Sequence, residues 1–229
     1  MLTPTAPAVA RPAGPGPSSL DLLKARPKRP GEASFFFYDT HFGSDAVKVL
    51  PGEHFVHDKN ILIMTTLGSC IAACLWDKQQ GVGGMNHFML PEVANNSLDG
   101  NDNSSASIGG RYGSYAMELL INELIKRGAR RSALEAKVFG GGSVVSGLNS
   151  SSVGERNTRF VLEYLRTERI TIVSKDVLDI HARKVCFFPA SGKAMVKRLA
   201  SINTDKLVQQ ERAAVAAAPA AGGGSVDLF

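Results

Sequence analysis

Cysteine is scarce in this chain, three residues in 229, and no two of them form a C-x-x-C pair. An odd, scattered set of thiols argues against a disulfide framework and against a structural zinc site. Charge of one sign is scarce as well. The net charge is only +5, and Lys24, Arg26, Lys28 and Arg29 of a proline-rich leader supply part of it, too diffuse and too poor in aromatics for a nucleic-acid surface. No stretch approaches the ~20 apolar residues that span a bilayer. The opening stretch has no basic n-region followed by an apolar h-region, so no signal peptide is expected there, and the expected location is cytoplasmic, without membrane insertion. A Gly-Lys-Ser/Thr phosphate loop and a GxGxxG turn are both missing, which argues against nucleotide binding. No cofactor and no metal are expected.

What is present is one sizeable core with loose ends. Residues 1–34, rich in Pro, Ala and Gly with no periodic apolar face, are expected to be a disordered arm. Residues 35–204 form the domain, and from Asp205 an Ala- and Gly-rich flexible tail runs to Val226-Asp227-Leu228-Phe229, a candidate docking peptide. Phe35-Phe36-Phe37-Tyr38 starts the ordered part as an edge element. Strands are expected at Val47–Leu50, Ile61–Thr66, Leu134–Phe139 and Ile170–Val173, with a last hairpin from Val185–Phe188 and Met195–Leu199. A helix is expected over Arg111–Arg127, from its apolar stripe and Gly128 stop. A second runs from a capping box at Ser152 and Glu155 to about Arg166. Asn95–Gly110, almost wholly polar, reads as a loop. His41, His54 and His57 read as solvated, Arg156 and Asn157 as exposed. Cys74 and Cys186 read as buried hydrophobes.

The informative stretch is Thr65–Pro91, two apolar runs joined by Lys78-Gln79-Gln80-Gly81, a hairpin by pattern. A two-residue turn centred on Lys78 and Gln79 puts Cys70 directly opposite His87, within reach of a thiol-imidazole hydrogen bond. A longer turn through Gly81 slides the register by two and leaves the pair diagonal. A Cys and a His in an apolar hairpin are, taken alone, more often core than catalytic. Bare backbone beside both groups, at Gly68-Ser69 and Gly83-Gly84, shifts the balance toward a site that a substrate can approach.

Five ordered segments carry a resemblance. They are Leu67-Gly68-Ser69-Cys70, Gly84 to Pro91, Arg111-Tyr112-Gly113, Glu135 to Gly142, and Gly154-Glu155-Arg156-Asn157. Together they resemble the chemoreceptor glutamine deamidase family, CheD, over about Val47 to Leu199. The resemblance implies hydrolysis of receptor glutamine side chains to glutamate, in chemotactic adaptation, with Cys70 as nucleophile and His87 as base. It also implies a threonine shortly before the cysteine. Met64 stands at the six-before position that some members fill with threonine, and of Thr65 and Thr66 the first is taken as the third residue. Gly68, Ser69, Asn86, Gly140 and Gly141 are the oxyanion or substrate-adjacent candidates. Where the family tends to read Asp-x-Gly-Gly, this chain has Asp176-Val177-Leu178-Asp179.

The expected fold is α+β, with layered mixed and antiparallel β-sheets and two main helices packed on one side. The expected chemistry is amide hydrolysis through a Cys thioester. Two other readings stay open. One is a receptor glutamyl methylesterase using the same Cys/His site; the other is an adaptation module acting mainly by binding a CheC-like phosphatase, a partnership that the resemblance implies.

Overall fold

The structure is a computed structural model describing residues 18–27, 29–90, 103–144, 150–199, 209 and 213. Its elements are α1 (Ser19–Ala25), β1 (Phe35–Asp39), β2 (Ser44–Lys48), β3 (His54–His57), β4 (Leu62–Leu67), β5 (Ile71–Asp77), β6 (Val82–Asn86), α2 (Asn103–Lys126), β7 (Leu134–Gly140), α3 (Ser150–Thr167), β8 (Thr171–Val177), β9 (Ala182–Phe188) and β10 (Lys193–Leu199). Two five-stranded mixed sheets are formed, one in the order β1-β2-β4-β9-β10, the other β3-β6-β5-β7-β8. The α+β class is as expected.

β5 sits at the centre of the second sheet with all seven residues buried, which is why it reads as an unbroken apolar run rather than an alternating one. One of its faces meets the first sheet through Phe55, Cys74, Trp76, Met85 and Phe187. The other meets the two long helices through Leu75, Met117, Leu120, Leu124, Val161 and Leu165. The order of layers is therefore helices, sheet, sheet. The helices approach closely because small residues stand at the contacts: a Cβ on Gly84 would lie 2.9 Å from Leu120, and one on Gly113 would collide with the Phe160 ring.

Several local expectations are corrected. α2 begins at Asn103, inside the stretch expected to be a loop. An apolar stripe marks only the turns that pack, and a helix once nucleated continues into polar residues. α3 already runs from Ser150, so Ser152 is within it, and residues 145–149, where a cap would stand, lie outside the described ones. Within the expected arm, Ser19–Ala25 is helical, started by a reciprocal Ser18–Asp21 capping box and held by buried Leu23. His54 is buried rather than solvated, its backbone paired with Gly31 and Ala33. The C-terminal Val226-Asp227-Leu228-Phe229 lies outside the described residues. No described helix is long and apolar enough to cross a membrane.

Candidate active site

The hairpin turn decides how Cys70 and His87 face one another. The buried carboxylate of Asp77 accepts N–H bonds from Gln79 (2.9 Å) and Gln80 (3.2 Å), and Gly81 closes the turn at φ +63°. The result is a four-residue turn pairing Asp77 with Val82. Burial alone would raise the Asp77 carboxyl. The N–H groups of Arg130, Gln80 and Gln79, with the Arg130 side chain, outweigh it and hold the group below its ordinary value. In this register Ile71 bridges Phe88, so Cys70 falls opposite Met89 and His87 opposite Ala72. Direct opposition of Cys70 and His87 is thus replaced by the diagonal arrangement, on one face. Diagonal neighbours have Cα atoms ~7–8 Å apart, a gap that side chains shorten.

Thr65 approaches His87 from the other sheet. Its Oγ1 lies 2.8 Å from His87 Nδ1 and 2.7 Å from the Val49 carbonyl oxygen. A carbonyl can only accept, so the single hydroxyl proton goes to Val49, and Nδ1 must carry the proton that it gives to Thr65. Neutral His87 is thereby held as the Nδ1–H tautomer, with the basic lone pair on Nε2. The backbone is fixed too: His87 N–H donates to Glu53 O (2.9 Å), and His87 O accepts from Gly52 N–H (2.7 Å). Strand alternation explains why Thr65 alone of the candidates reaches this place. Ile63 and Leu67 face the inter-sheet core with it, whereas Leu62 and Met64 face a separate outer cluster. Cys70 is fully buried, and Thr65 and His87 nearly so. Tyr112 lies near the thiol; its burial, and then Cys70, push its phenol above the ordinary value.

The loop that carries the cysteine is braced carbonyl by carbonyl. Gly68 O accepts from Gly142 N–H (2.8 Å), Ser69 O from Asn157 Nδ2 (2.9 Å) and Cys70 O from Gly141 N–H (2.8 Å). Ser69 Oγ reaches the Met89 sulfur at 3.5 Å. Gly140, at φ +114°, passes so close that a Cβ would collide with Cys70 O; one on Gly141, at φ +67°, would collide with Thr158 Oγ1. Sequence reasoning places Gly140 and Gly141 beside a substrate. In the fold they support the loop that carries Cys70, and the Gly141 N–H is engaged there. Asn86 is likewise occupied: its Oδ1 accepts from Ala73 N–H (3.0 Å), and its Nδ2 donates to Ala116 O (3.1 Å), tying β6 to β5 and α2.

A further brace stands behind the glycines. Arg183, fully buried, donates to Asp176 Oδ1 (2.9 Å), His181 O (2.8 Å) and Leu178 O (2.5 Å). The turn so held gives Leu178 N–H to Gly140 O and receives Ser143 N–H at Asp179 O. Leu178 and Asp179 adopt φ +65° and +68°, the two positions where the resemblance leads one to expect glycine. Asn157, expected at the surface, is completely buried. The missed signal is its spacing, since it stands four and eight residues before buried Val161 and Leu165, on the inward stripe of α3.

Comparison with known proteins agrees with these motifs. A family model described as CheD chemotactic sensory transduction matches residues 89–198, downstream of Cys70 and His87. A relative from Albidiferax ferrireducens named "Probable chemoreceptor glutamine deamidase CheD 1" is 60% identical over 219 residues, 95% of this chain and 89% of that one. A relative from Janthinobacterium sp. (strain Marseille), "Probable chemoreceptor glutamine deamidase CheD", is 52% identical over 79% of this chain and 86% of its own length.

Proposed function

The chain belongs to the CheD family, and from that premise we propose that it hydrolyses selected glutamine side chains of chemotaxis receptors to glutamate, with Cys70 as the nucleophile. The observation that carries the chemistry is the Thr65–His87 pair at 2.8 Å with its proton placed by the Val49 carbonyl. It supplies a base of defined tautomer on the same face as a cysteine whose loop is held at every carbonyl.

In the proposed reaction His87 Nε2 takes the thiol proton as Cys70 Sγ bonds to the carboxamide carbon. Negative charge builds on the carbonyl oxygen, for which backbone N–H groups of the Gly68-Ser69-Cys70 loop are the proposed donors. The imidazolium returns its proton to the amide nitrogen, the C–N bond breaks, ammonia leaves and a thioester remains. Water, deprotonated by His87, attacks the thioester; the C–S bond breaks, the thiol recovers its proton and glutamate is released.

The same proposal includes a CheC-like phosphatase as partner, checked by pull-down with the purified chain, and the cytoplasm as the place of action. The deciding experiment is mass spectrometry of a purified receptor signalling domain incubated with the wild type or with Cys70→Ala. The expected result is the mass gain of an amide converted to an acid at particular glutamines, seen with the wild type alone. The same gain with Cys70→Ala would remove the cysteine from the mechanism, and methanol release in place of ammonia would replace deamidation with ester hydrolysis.

A further inference from the structure

Asn157 does something unusual between the two halves of the hairpin. Ile71 and Phe88 exchange both of their backbone hydrogen bonds at 2.9 Å, so they form a bonded pair of an antiparallel ladder. In such a ladder bonded and non-bonded pairs alternate. Cys70 and Met89 form the next, non-bonded pair, and Ser69 and Leu90 fall where the following bonded pair belongs. There Leu90 N–H would give directly to Ser69 O. It gives instead to Asn157 Oδ1 at 3.0 Å, and Asn157 Nδ2 gives to Ser69 O at 2.9 Å. A carboxamide has the same donor and acceptor as a peptide unit. Asn157 therefore stands in the ladder as a surrogate rung, and prises the strands apart by up to about 5 Å, one strand spacing.

The divergence begins at Cys70. We propose that Asn157 is a positioning residue that acts through the Ser69–Cys70 peptide: it keeps the cysteine loop and the His87 strand from closing on each other beside the buried Cys70, and it sets the plane of the peptide that carries the Cys70 N–H. Because a peptide unit is planar and trans, fixing the Ser69 carbonyl also fixes the direction of that N–H. This inference rests on Cys70 being the nucleophile. Burial makes the position demanding: with the Asn157 side chain wholly enclosed, removing it leaves the Leu90 N–H and the Ser69 carbonyl without these bonds, and lets the strands close toward each other.

The test combines turnover with the chemistry of the thiol itself. Ammonia release from a purified receptor signalling domain gives kcat and KM, and iodoacetamide alkylation of Cys70, followed by peptide mass, reports access to the thiol with no receptor present. Asn157→Ala is expected to lower kcat by about 100-fold, with KM changed no more than about twofold, and to slow alkylation of Cys70 in the folded protein. If Asn157→Ala does not fold, Asn157→Asp carries the test. Its protonated carboxyl can bridge Leu90 and Ser69 as the carboxamide does, whereas its ionised form faces the Ser69 carbonyl with a second acceptor, so its kcat relative to wild type should rise as pH falls. A folded Asn157→Ala with wild-type kcat and alkylation rate, or an Asn157→Asp ratio that is flat with pH, overturns the assignment. Deamidation surviving in Cys70→Ala refutes the nucleophile instead, and the alkylation rates then still decide whether Asn157 governs access to the thiol.

Discussion

Replacing Thr65 with valine keeps the branched shape and removes one oxygen. That oxygen accepts from His87 Nδ1 at 2.8 Å and donates to Val49 O at 2.7 Å, so both partners lose a bond in a buried place. A hydrogen bond to a charged group contributes ~1.5–3 kcal/mol, and in the proposed reaction His87 becomes charged when it takes the thiol proton. The loss therefore falls on the reaction rather than on substrate binding. At ~1.36 kcal/mol per factor of ten, Thr65→Val should lower kcat by roughly 10- to 150-fold with little change in KM. The unsatisfied Val49 carbonyl should also cost about 1–3 kcal/mol of stability. Ammonia release under saturating receptor domain gives the rate, and urea unfolding gives the stability. Thr65→Ser, which keeps the hydroxyl, should stay close to wild type in rate. A folded Thr65→Val with wild-type kcat would refute the reasoning, and a loss confined to KM would move Thr65 from the chemistry to substrate binding.

Three further outcomes are expected. Leu178→Gly should stabilise the protein or leave it unchanged, because a left-handed leucine costs ~1–2 kcal/mol and glycine's extra freedom in the unfolded chain offsets only ~0.5–1 kcal/mol of that; destabilisation beyond about 1 kcal/mol in urea would contradict this. Gly140→Ala combines φ +114° with a Cβ that collides with Cys70 O, and is expected to lose more than about 3 kcal/mol along with all ammonia release. On acidification, burial, then Arg127, hold His57 down to about 4 from an ordinary 6.5. The unfolded chain then binds the extra proton between those values, so the stability contributed by neutral His57 is complete above about pH 6.5 and declines toward pH 4. His57→Asn should flatten the pH dependence of the urea midpoint in that window, and an unchanged slope would show that the burial of His57 is not its cause.

Much of the candidate site's geometry is legible in the sequence because strands betray themselves by pattern. The two apolar runs around Lys78-Gln79-Gln80-Gly81 announce a hairpin, and Cys70 and His87 are its chemically distinctive residues. What the pattern does not contain is the action of one side chain on a turn: Asp77 caps Gln79 and Gln80, lengthens the loop and shifts Cys70 from direct to diagonal opposition. Which of Met64, Thr65 and Thr66 faces His87 depends on the facing of β4, which alternation gives once its neighbours are known. The burial of His54 depends on Gly31 and on α2, both distant in the chain and unseen by any local window. Asn157 is the reverse case. Its place on the inward stripe of α3 is visible, but a polar residue there reads as exposed because its partners, Ser69 and Leu90, come from another part of the chain.

The Thr65–His87 bond joins two sheets, and that has a meaning for biosynthesis. β4, which carries Thr65, is flanked by β2, translated before it, and by β9, translated near the end of the domain. While the ribosome is still producing the middle of the chain, the cysteine and the histidine have both emerged, but the strand that completes the sheet beneath Thr65 has not. The residues of the proposed site are thus present early, and the sheet that carries Thr65 is completed late.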